Sequence, residues 1–447
     1  MSLSVSTERP PFAVEPEVMA VLETLWRNDH AAYLVGGGVR DALLGLPATD
    51  WDVATDARPE RILKVFPGGT YENRFGTVLA RGLEITTFRR EHRYADHRRP
   101  DSVTFSDDVY EDLARRDLTI NAIAWGRRGP TMAARLVDPA DGQGDLMAHL
   151  VRAVGDPSRR FDEDALRLLR VVRIAAKLDF AIEPVTWAAM VAHAADVGWV
   201  SEERIGSEVR GMLALDRPSR AFRLLRESGI LATALPELQA LVDAAGSAGL
   251  GGFERSLDVL DAAVAAAPGN DRLAWAALLG ESGSANARAA LERLRVSGRD
   301  RDAVCLLVDQ APVEYGRAWN DADVRRYMGQ VPADLLDDLL ALRRARAGAS
   351  GLIAVELEAE LAERVLAQRS AGSALALAGL AIDGRDLQAT LGIAEGPAIG
   401  VILERLLTDV IEDPSLNRRV TLLTRAGLIL DDLVQGSPGG PDDTAME

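Results

Sequence analysis

Hydrophobic and polar positions alternate with two different periods in the first part of the chain. Residues 17–28 place Val18, Val21, Leu22 and Leu25 at helical spacing, whereas 77–81 and 83–88 alternate as two strands around a glycine. The predicted elements are helices over 17–28, 39–44 and 59–66, and strands over 32–35, 51–54, 77–81 and 83–88. The order α, β, α, β, α, β, β predicts an α/β head built on a mixed sheet.

The pattern after residue 150 is helical almost throughout. Residues 162–178 predict one strong helix, with one apolar and one charged stripe at helical spacing. From Pro218 onward, Ala-, Leu- and Arg-rich helices follow one another with Pro and Gly between them. We therefore expect an all-α neck, body and tail after the head. The expected domains are a head over 1–150, a neck over 151–235, a body over 236–350, a tail over 351–435 and a disordered end over 436–447.

Length and composition fit a multidomain globular protein. The 447 residues predict two to four domains, with 47% hydrophobic and 27% charged residues. The single cysteine, Cys305, excludes an internal disulfide framework. The most apolar run, 374–382, is too short to span a bilayer, and no signal peptide is evident. These features predict a cytoplasmic protein that does not bind membranes.

The charge distribution matters more than the total. A net charge of −17 argues by itself against nucleic-acid binding. However, only Lys64 and Lys177 are lysines, and arginines crowd the region between residues 74 and 173, while acids dominate the C-terminal third. Arginine offers a planar fork that suits phosphates and base edges, and the local field decides where a polyanion binds. The first part of the chain therefore remains a candidate for RNA binding.

Candidate chemistry is concentrated in the stretch LVGGGVRDALLGLPATDWD, residues 34–52. In an extended strand Asp50 and Asp52 would point to the same side, and two carboxylates that close repel unless a cation lies between them. Mg²⁺ ions are the simplest explanation. The three glycines before them leave backbone N–H groups open at a helix start, where phosphates bind, and Arg40 adds a positive charge. A Walker-type loop is excluded, because no lysine follows the glycines.

Two further groups of residues could join this site. Glu84 lies on a predicted strand and is either a third metal ligand or a surface acid. In the capped amphipathic segment 112–124, Arg116, Asp117 and Asn121 fall within two turns. Asp117 could hold Asn121 and Arg116, leaving an arginine for phosphate.

Six motifs make a resemblance definite: GGGVRD, DWD, FGTV, EITTFR, DHRRPDSVTF and RRDLTINA stand in the order found in bacterial tRNA CCA-adding enzymes and their poly(A) polymerase relatives. The chain resembles this family, the class II branch of the polymerase-β-like nucleotidyltransferases. Leu118 departs from it, since the family usually has Phe there, and we expect only packing to change. The resemblance implies two Mg²⁺ ions on catalytic Asp50 and Asp52. It also implies that Gly37, Gly38 and Arg40 hold the triphosphate, and that Arg116, Asp117 and Asn121 hold the sugar and phosphates.

A later motif could select the base. An aspartate can accept a hydrogen bond from the exocyclic amine of cytosine or adenine, and an arginine can donate to the ring nitrogen. Guanine and uracil offer the reverse pattern. By itself, the Asp164–Arg167 pair could also be an ordinary ion pair on a helix. In the resembled family the motif EDxxR selects CTP and ATP. The candidate nucleotide-binding residues here are Asp162, Glu163, Asp164, Arg167, Arg170 and Arg173.

The C-terminal half adds an expected RNA contact. Residues 202–213 match the family's ERIxxE helix, which we expect to brace the neck, and 380–400 resemble the tail segment that holds the tRNA T-arm. By that resemblance, Gly384, Arg385 and Gly396 are RNA-binding. The expected partners are tRNA, CTP and ATP, and the sequence does not indicate an oligomeric state.

The leading hypothesis is template-independent addition of C, A or both to the tRNA 3′ end. The motifs equally allow addition of A alone. Two further hypotheses are a poly(A) polymerase and a non-catalytic RNA-binding protein on the same fold. An acidic C-terminus argues against the polymerase, and intact Asp50, Asp52, Asp164 and Arg167 argue against the non-catalytic protein.

Overall fold

The structure is a computed structural model that describes residues 10–48, 50–73, 76–92, 102–244 and 251–435. The chain divides into two compact units. The first comprises Met1–Phe253 and Ala289–Ser297, and the second comprises Glu254–Arg288 and Gly298–Glu447.

The first unit begins with a mixed sheet of seven strands in the order β3-β4-β5-β2-β1-β8-β9. The strands are β1 Ala31–Val35, β2 Asp52–Thr55, β3 Thr70–Asn73, β4 Thr77–Ala80, β5 Leu83–Thr87, β8 Ala124–Arg128 and β9 Arg135–Val137. A separate antiparallel pair joins β6 Arg89–His92 to β7 Ser102–Phe105. All five residues of β1 are buried, as expected for a central strand covered on both faces.

The register of the sheet aligns the candidate carboxylates. Strand β1 pairs antiparallel with β2, so that Val35 lies opposite Asp52. Strand β2 pairs parallel with β5, so that Asp52 lies opposite Glu84. Directly opposite residues point to the same face of a sheet. Glu84 therefore projects beside Asp52 at the edge where the glycine turn follows β1.

Short helices pack on this sheet, and their bounds follow. They are α1 Pro16–Arg27, α2 Gly37–Leu43, α3 Pro59–Val65, α4 Val109–Ala114 and α5 Gly142–Met147, with a 3-10 turn at Thr119–Asn121. In α1 the predicted apolar positions and Trp26 are all buried, and Pro16 occupies the first turn, where no intrahelical donor is needed. One part of the core joins Tyr33 on β1, Phe88 after β5 and Leu113 on α4.

The rest of the first unit is helical apart from two short strands. The strands β10 Leu150–Val151 and β11 Ala181–Ile182 pair in parallel. The helices are α6 Pro157–Glu163, α7 Leu166–Leu178, α8 Pro184–Ala192, α9 Glu202–Leu213, α10 Ser219–Glu227, α11 Leu231–Ala234 and α12 Pro236–Ala244, with a 3-10 turn at Ala194–Trp199. The single helix predicted over 162–178 is wrong, because Asp164 has extended dihedrals (φ −153°, ψ 105°) and separates α6 from α7.

The remaining helices run through the second unit, with a few of their residues in the first. They are α13 Gly252–Ala266, α14 Asp271–Leu279, α15 Ser284–Arg293, α16 Gly298–Gln310, α17 Asp321–Met328, α18 Leu336–Ser350, α19 Leu352–Ser370, α20 Gly384–Leu391, α21 Pro397–Glu412 and α22 Arg419–Gln435, with 3-10 turns at Gly280–Ser282, Ala333–Leu335, Leu377–Gly379 and Pro414–Leu416. The last three helices share a core that includes Leu387, Ile402, Leu406 and Leu422, all fully buried.

The predicted fold class, an α/β head followed by helices, is confirmed. The finer division at residues 150, 235 and 350 stays a prediction. The predicted disorder of 436–447 concerns residues outside those that the structure describes. None of the helices in the described ranges is long and apolar enough to cross a membrane.

Candidate active site

The glycine turn is shaped to admit other groups closely. Gly36 has φ +78°, a left-handed conformation that favours glycine, and a methyl group there would lie 3.1 Å from Asp52 Oδ2 and 3.2 Å from Arg116 Nη1. A methyl group at Gly38 would lie 2.8 Å from the Asp50 carbonyl oxygen. Gly37 has only ordinary contacts. The turn thus brings β1, the aspartates and an arginine together before α2 begins.

The two aspartates alternate around a buried tryptophan, as predicted. Asp50 is exposed, Trp51 is buried and Asp52 is half-buried. Trp51 Nε1 donates to Glu15 Oε2 at 2.6 Å, and its ring stacks on Phe12. Trp51 therefore anchors the strand to the N-terminal region, while the Asp52 carboxylate lies beside the glycine turn.

Asp52 lies in an environment that opposes its charge. Its pKa is raised to about 6, mainly by burial and also by the charges of Asp50 and Glu84, although Arg116 and Arg170 lower it. Oxygen ligands of like charge suit a hard divalent cation, which would offset the burial and the repulsion. The chemistry of this donor set therefore fits a divalent metal.

A different group of side chains has potential metal-ligand atoms close to one another. In the described ranges, one set of three potential ligands has donor atoms within 4.8 Å of one another: Asp162, His193 and Asp196. Its His193 Nδ1 is already hydrogen-bonded to Asp196 Oδ2 at 2.7 Å, and the Asp162 side chain is 58% exposed. We interpret this set as a surface ion-pair cluster, because hydrogen bonding explains it without a metal. It also places Asp162, an expected nucleotide-binding residue, in a different set of contacts.

Arg116 is oriented by a buried acid that was not singled out from the sequence. Helix α4 ends at Ala114, so the predicted segment over 112–124 is helical only at its start. Asp112 is 1% exposed and accepts from Arg115 at 2.6 Å and from Arg116 at 3.3 Å. The predicted Asp117–Arg116 pair is therefore wrong, since Asp112 is the acid that Arg116 contacts. Burial opposes ionisation of Asp112, but the two arginines outweigh it and lower the pKa of the carboxyl.

Asp117 forms a clasp between the head and α7. Its Oδ2 accepts from Arg170 at 2.7 Å, and its Oδ1 accepts from the Leu118 N–H at 2.9 Å and from Asn121 Nδ2 at 3.3 Å. The predicted Asp117–Asn121 bond is confirmed. Burial would raise the pKa of Asp117, but Arg170 and the hydrogen bonds outweigh it and hold the pKa well below its usual range. Arg170 thus links the helix that carries Arg167 to the surroundings of Asp52.

Arg40 is a buried link rather than an exposed charge. It is 3% exposed, and its Nη1 donates to Asn121 Oδ1 at 2.7 Å while its Nε donates to Asp41 Oδ1 at 2.7 Å. Asp41 also accepts from Lys177 Nζ at 2.9 Å. The expected triphosphate contact therefore has little exposed guanidinium surface to use, and the arginine instead ties α2 to Asn121.

Asp164 is held at the break between α6 and α7. Its side chain accepts from the Leu166 N–H at 3.1 Å, which caps the start of α7. Arg204 on α9 donates to both of its oxygens, at 2.7 and 3.2 Å. The ERIxxE helix therefore holds a candidate base-reading carboxylate directly, a role that the sequence pattern did not separate from general bracing.

Arg167 is also held by several partners. It is 9% exposed, and its Nη1 donates to Glu163 Oε2 at 2.6 Å. Its other donors reach the carbonyl oxygens of Arg160 and Arg115. Arg173 pairs with Glu208 of α9 at 2.6 Å. Helices α7 and α9 are thus joined by charged pairs beside the candidate site.

The expected RNA-binding residues of the second unit surround two helix starts. Asp383 caps α20 in a reciprocal capping box with Asp386, and Arg385 beside it is exposed. Gly384 approaches Ile399, since a methyl group there would lie 3.1 Å from its Cγ2. Gly396 is extended (φ 167°, ψ −178°) before α21, a conformation open to any residue.

The first unit therefore brings most of the predicted site together. Hydrogen bonds and charge interactions connect Asp52, Glu84, Arg116, Asp117, Asn121, Arg170 and the turn at Gly36. Sequence reasoning missed Asp112, Asp41 and the specific partner of Arg204. The sequence did not single out these residues, because charged side chains in such helical segments are equally typical of a solvent-exposed helix face.

Three domain families match successive parts of the chain. Residues 32–152 match the Poly A polymerase head domain. Residues 179–241 match a family described as "Probable RNA and SrmB- binding site of polymerase A", and residues 268–426 match one described as "tRNA nucleotidyltransferase domain 2 putative". The matched ranges follow the order of head, neck and C-terminal helices seen in the fold.

Individual proteins are similar over shorter or more divergent stretches. The CCA-adding enzyme of Geobacillus thermodenitrificans is 40% identical over 235 residues, which cover 52% of this chain and 56% of the relative. The CCA-adding enzyme of Limosilactobacillus fermentum is 46% identical over 211 residues, covering 46% and 51%. The chain thus spans about half the length of the curated relatives that it matches.

Solved structures extend the likeness to nearly the whole chain. The Bacillus stearothermophilus CCA-adding enzyme in complex with CTP has a TM-score of 0.72 and 28% identity, covering 94% of this chain and all of the other. The Thermotoga maritima CCA-adding enzyme complexed with tRNA has a TM-score of 0.59 and 20% identity, covering 94% and 96%, which shows a shared fold.

Proposed function

We propose that this chain is a member of the family of bacterial tRNA CCA-adding enzymes and poly(A) polymerases and acts as a template-independent tRNA nucleotidyltransferase. Its substrates would be CTP, ATP and the 3′ end of tRNA. The observation that carries the proposal is the contact network of the first unit. Through Arg116, Asp117 and Arg170, this network joins the carboxylates beside the glycine turn to the helix that follows Asp164.

Members of the nucleotidyltransferase family generally use divalent metals, and the carboxylates beside the glycine turn fit that requirement. We infer that Asp50 and Asp52, with Glu84 beside Asp52, would hold two Mg²⁺ ions. Bound there, the ions would supply Lewis-acid activation of the RNA 3′-hydroxyl and stabilise the departing pyrophosphate. The chain's own contribution is to hold the carboxylates close together, with Asp52 partly withdrawn from water.

Positioning of the triphosphate would fall to groups around the turn. The backbone N–H groups of Gly37 and Gly38 lie at the start of α2, where the helix dipole favours negative charge. Arg116, with 18% of its side chain exposed and Asp112 behind it, is directed toward Gly36 and Asp52. Asp117 and Asn121 would face the sugar and phosphates, while Arg40 would act indirectly through Asn121.

Selection of the base would depend on Asp164 and Arg167. Asp164 accepts hydrogen bonds and Arg167 donates them, which matches the amine and ring nitrogen that cytosine and adenine present. A guanine or uracil would leave buried groups unpaired, at a cost of about 1–3 kcal/mol for each group. Both side chains are already fixed by neighbours, Asp164 by Arg204 and Arg167 by Glu163. Little conformational freedom remains to be lost when a base binds.

The decisive experiment incubates the full chain with three tRNAs, CTP and ATP, and sequences the 3′ ends. One tRNA lacks the whole CCA end, one ends in the first C and one ends in both. Full CCA addition completes all three, whereas an enzyme that adds only A completes only the last. Extension of a completed end by many A residues indicates a poly(A) polymerase, an activity that the match of the head to that family makes worth separating.

The matched variants are Asp50→Asn and Asp107→Asn. Asp107 is an exposed carboxylate of the same unit, so Asp107→Asn makes the same chemical change outside the candidate site. We expect no incorporation with Asp50→Asn and normal incorporation with Asp107→Asn. Wild-type protein that binds tRNA but adds no nucleotide would contradict the proposal and favour a non-catalytic RNA-binding role.

A further inference from the structure

A pocket of about 790 Å³ opens in the first unit beside the candidate active site. Its walls come from the end of α2 and the loop after it, from the C-terminal end of α7, and from the α9–α10 connection. This volume is within the range of small-molecule sites. None of the residues assigned above to metal, triphosphate or base lines it.

The walls combine an apolar body with charged groups. Leu46, Pro47, Ala176 and Leu215 supply apolar surface on two sides. Exposed acids, Asp179, Asp216 and Glu227, are also part of the lining, and the Asp179 side chain is 81% exposed. Flat apolar surface suits a nucleobase or a sugar ring, and carboxylates accept hydrogen bonds from ribose hydroxyls or exocyclic amines.

The basic groups of the pocket have capacity left for an anion. Arg220 donates to the Phe180 carbonyl oxygen and pairs with Asp179, but its buried Nε has no hydrogen-bond partner. Lys177 shares the carboxylate of Asp41 with buried Arg40, so that two cations share one anion. Arg217 is exposed and has no partner among the described residues. A buried donor without a partner is costly, and an anionic oxygen would satisfy it.

We infer that this pocket binds one nucleotide unit, its phosphate on Arg220, Lys177 and Arg217 and its base or ribose against the apolar wall. It is distinct from the site at Asp50 and Asp52, because the lining residues differ. It adjoins that site through Asp41, which contacts Lys177 in the pocket and Arg40 beneath the glycine turn.

The nucleotide unit could belong to an RNA strand or be a free nucleotide. The inference that a nucleotide of the tRNA acceptor strand binds here rests on the proposed function, whereas binding of a free nucleoside monophosphate does not. The two sources share the same phosphate and base chemistry, so one set of variants tests both. Binding constants are the right readout, since they remain measurable even if the chain transfers no nucleotide.

The test measures equilibrium dialysis of radiolabelled AMP and CMP, and filter binding of tRNA lacking CCA, with the full chain in EDTA. Ala214→Trp fills the pocket from an exposed lining position without removing a charge, and Arg217→Ala removes an exposed cation. We expect Ala214→Trp to weaken binding at least tenfold and Arg217→Ala about threefold. Arg61→Ala, an exposed arginine on α3, is the matched control and should change nothing.

The Asp50→Asn/Asp52→Asn double variant separates this pocket from the catalytic site. Monophosphate or tRNA binding should persist in it, because its substitutions lie outside the pocket. Loss of AMP and CMP binding in Ala214→Trp identifies a free nucleotide as a ligand, and loss of tRNA binding identifies the acceptor strand. If Ala214→Trp and Arg217→Ala bind all three probes like wild type, or the double variant abolishes all binding, the inference is overturned.

Discussion

Two half-buried or buried aspartates of the same site have opposite electrostatic environments. Asp52 is surrounded by Asp50 and Glu84, and burial raises its pKa to about 6. Asp117 lies against Arg170, which overcomes the effect of burial and holds its pKa well below the usual range. Both carboxylates interact with Arg170, yet burial and the like charges of Asp50 and Glu84 keep the pKa of Asp52 raised, whereas Arg170 neutralises Asp117.

This difference indicates that Asp117 is part of a structural contact, whereas Asp52 is part of a site that binds a ligand. The Asp117 clasp is neutralised by the chain itself, so its acid contributes to stability. At Asp52 the charges of Arg116 and Arg170 do not offset burial and the like charges of Asp50 and Glu84, which is the arrangement expected where an external cation binds. Substitutions at Asp52 or at Arg170 each alter one of these two environments.

The largest effect is expected for Asp52→Asn. Loss of this carboxylate should lower nucleotide incorporation at least about 10³-fold, since electrostatic stabilisation at the reacting groups depends on it. In EDTA the same variant should not unfold earlier than wild type, and a rise of about 2 °C in Tm is expected, because a repelled and partly buried charge is removed. Incorporation assays and calorimetry measure the two properties.

Asp107→Asn is the control for both measurements, because this carboxylate is 68% exposed and is paired with Arg58. A fall of several degrees in the Tm of Asp52→Asn, without metal, would show that Asp52 stabilises the fold. The contrast with Asp117 would then be incorrect.

Arg170→Met should have the next largest effect, on stability. The substitution keeps a similar volume but leaves Asp117 buried without its cation, at a cost of about 3 kcal/mol in unfolding free energy. Urea denaturation measures this cost, and Arg159→Met, at a side chain that is 72% exposed, is the control. A cost below about 1 kcal/mol would mean that Asn121 and the Leu118 N–H suffice to hold Asp117.

These contacts show which features of the molecule the sequence could predict. The α/β head and the alternation of Asp50, Trp51 and Asp52 depend on local periodicity, which a sequence displays directly. The position of Glu84 depended on the pairing of β2 with β5, a long-range contact that left two interpretations open until the register was known.

Other features could not be predicted because they depend on competing partners. The pattern over 162–178 reads as one helix, but Asp164 caps α7 and binds Arg204, 40 residues away. Arg116 could pair with Asp112 or Asp117, both within reach along the chain, and folding selected Asp112. Burial of Arg40 likewise follows from Asn121, 81 residues later, which no local pattern reveals.

Arg204→Ala should have a moderate effect on base selection. Without its two donors, Asp164 is free to rotate, and discrimination between ATP and GTP should fall about tenfold while the fold is kept. The measurement is the ratio of kcat/KM for the correct and incorrect nucleotides. Arg204→Lys should restore part of the selectivity, since a lysine can supply one charged donor; equal ratios in all three proteins would assign Arg204 a purely structural role.

The smallest effect is a pH dependence assigned to Asp117. Since its pKa in the folded protein lies below the unfolded value of about 3.9, the unfolded chain takes up the proton first as pH falls. The stabilising contribution is therefore complete above about pH 5 and declines below pH 4, by about 1 kcal/mol at pH 3, an amount fixed by protonation of the unfolded chain.

The contribution of Asp117 to this pH dependence can be measured by urea denaturation between pH 7 and pH 3. The proteins to compare are wild type, Asp117→Asn and Asp107→Asn. Other carboxylates titrate in all three proteins, so the gap in unfolding free energy between wild type and Asp117→Asn should narrow toward acid pH. The Asp107→Asn curve should stay parallel to wild type, because this carboxylate is 68% exposed and lies outside the Asp117 contacts. A gap that is constant with pH would mean that Asp117 titrates alike in the folded and unfolded states. The charge of Asp117 would then not stabilise the folded protein, and the contrast with Asp52 would be incorrect.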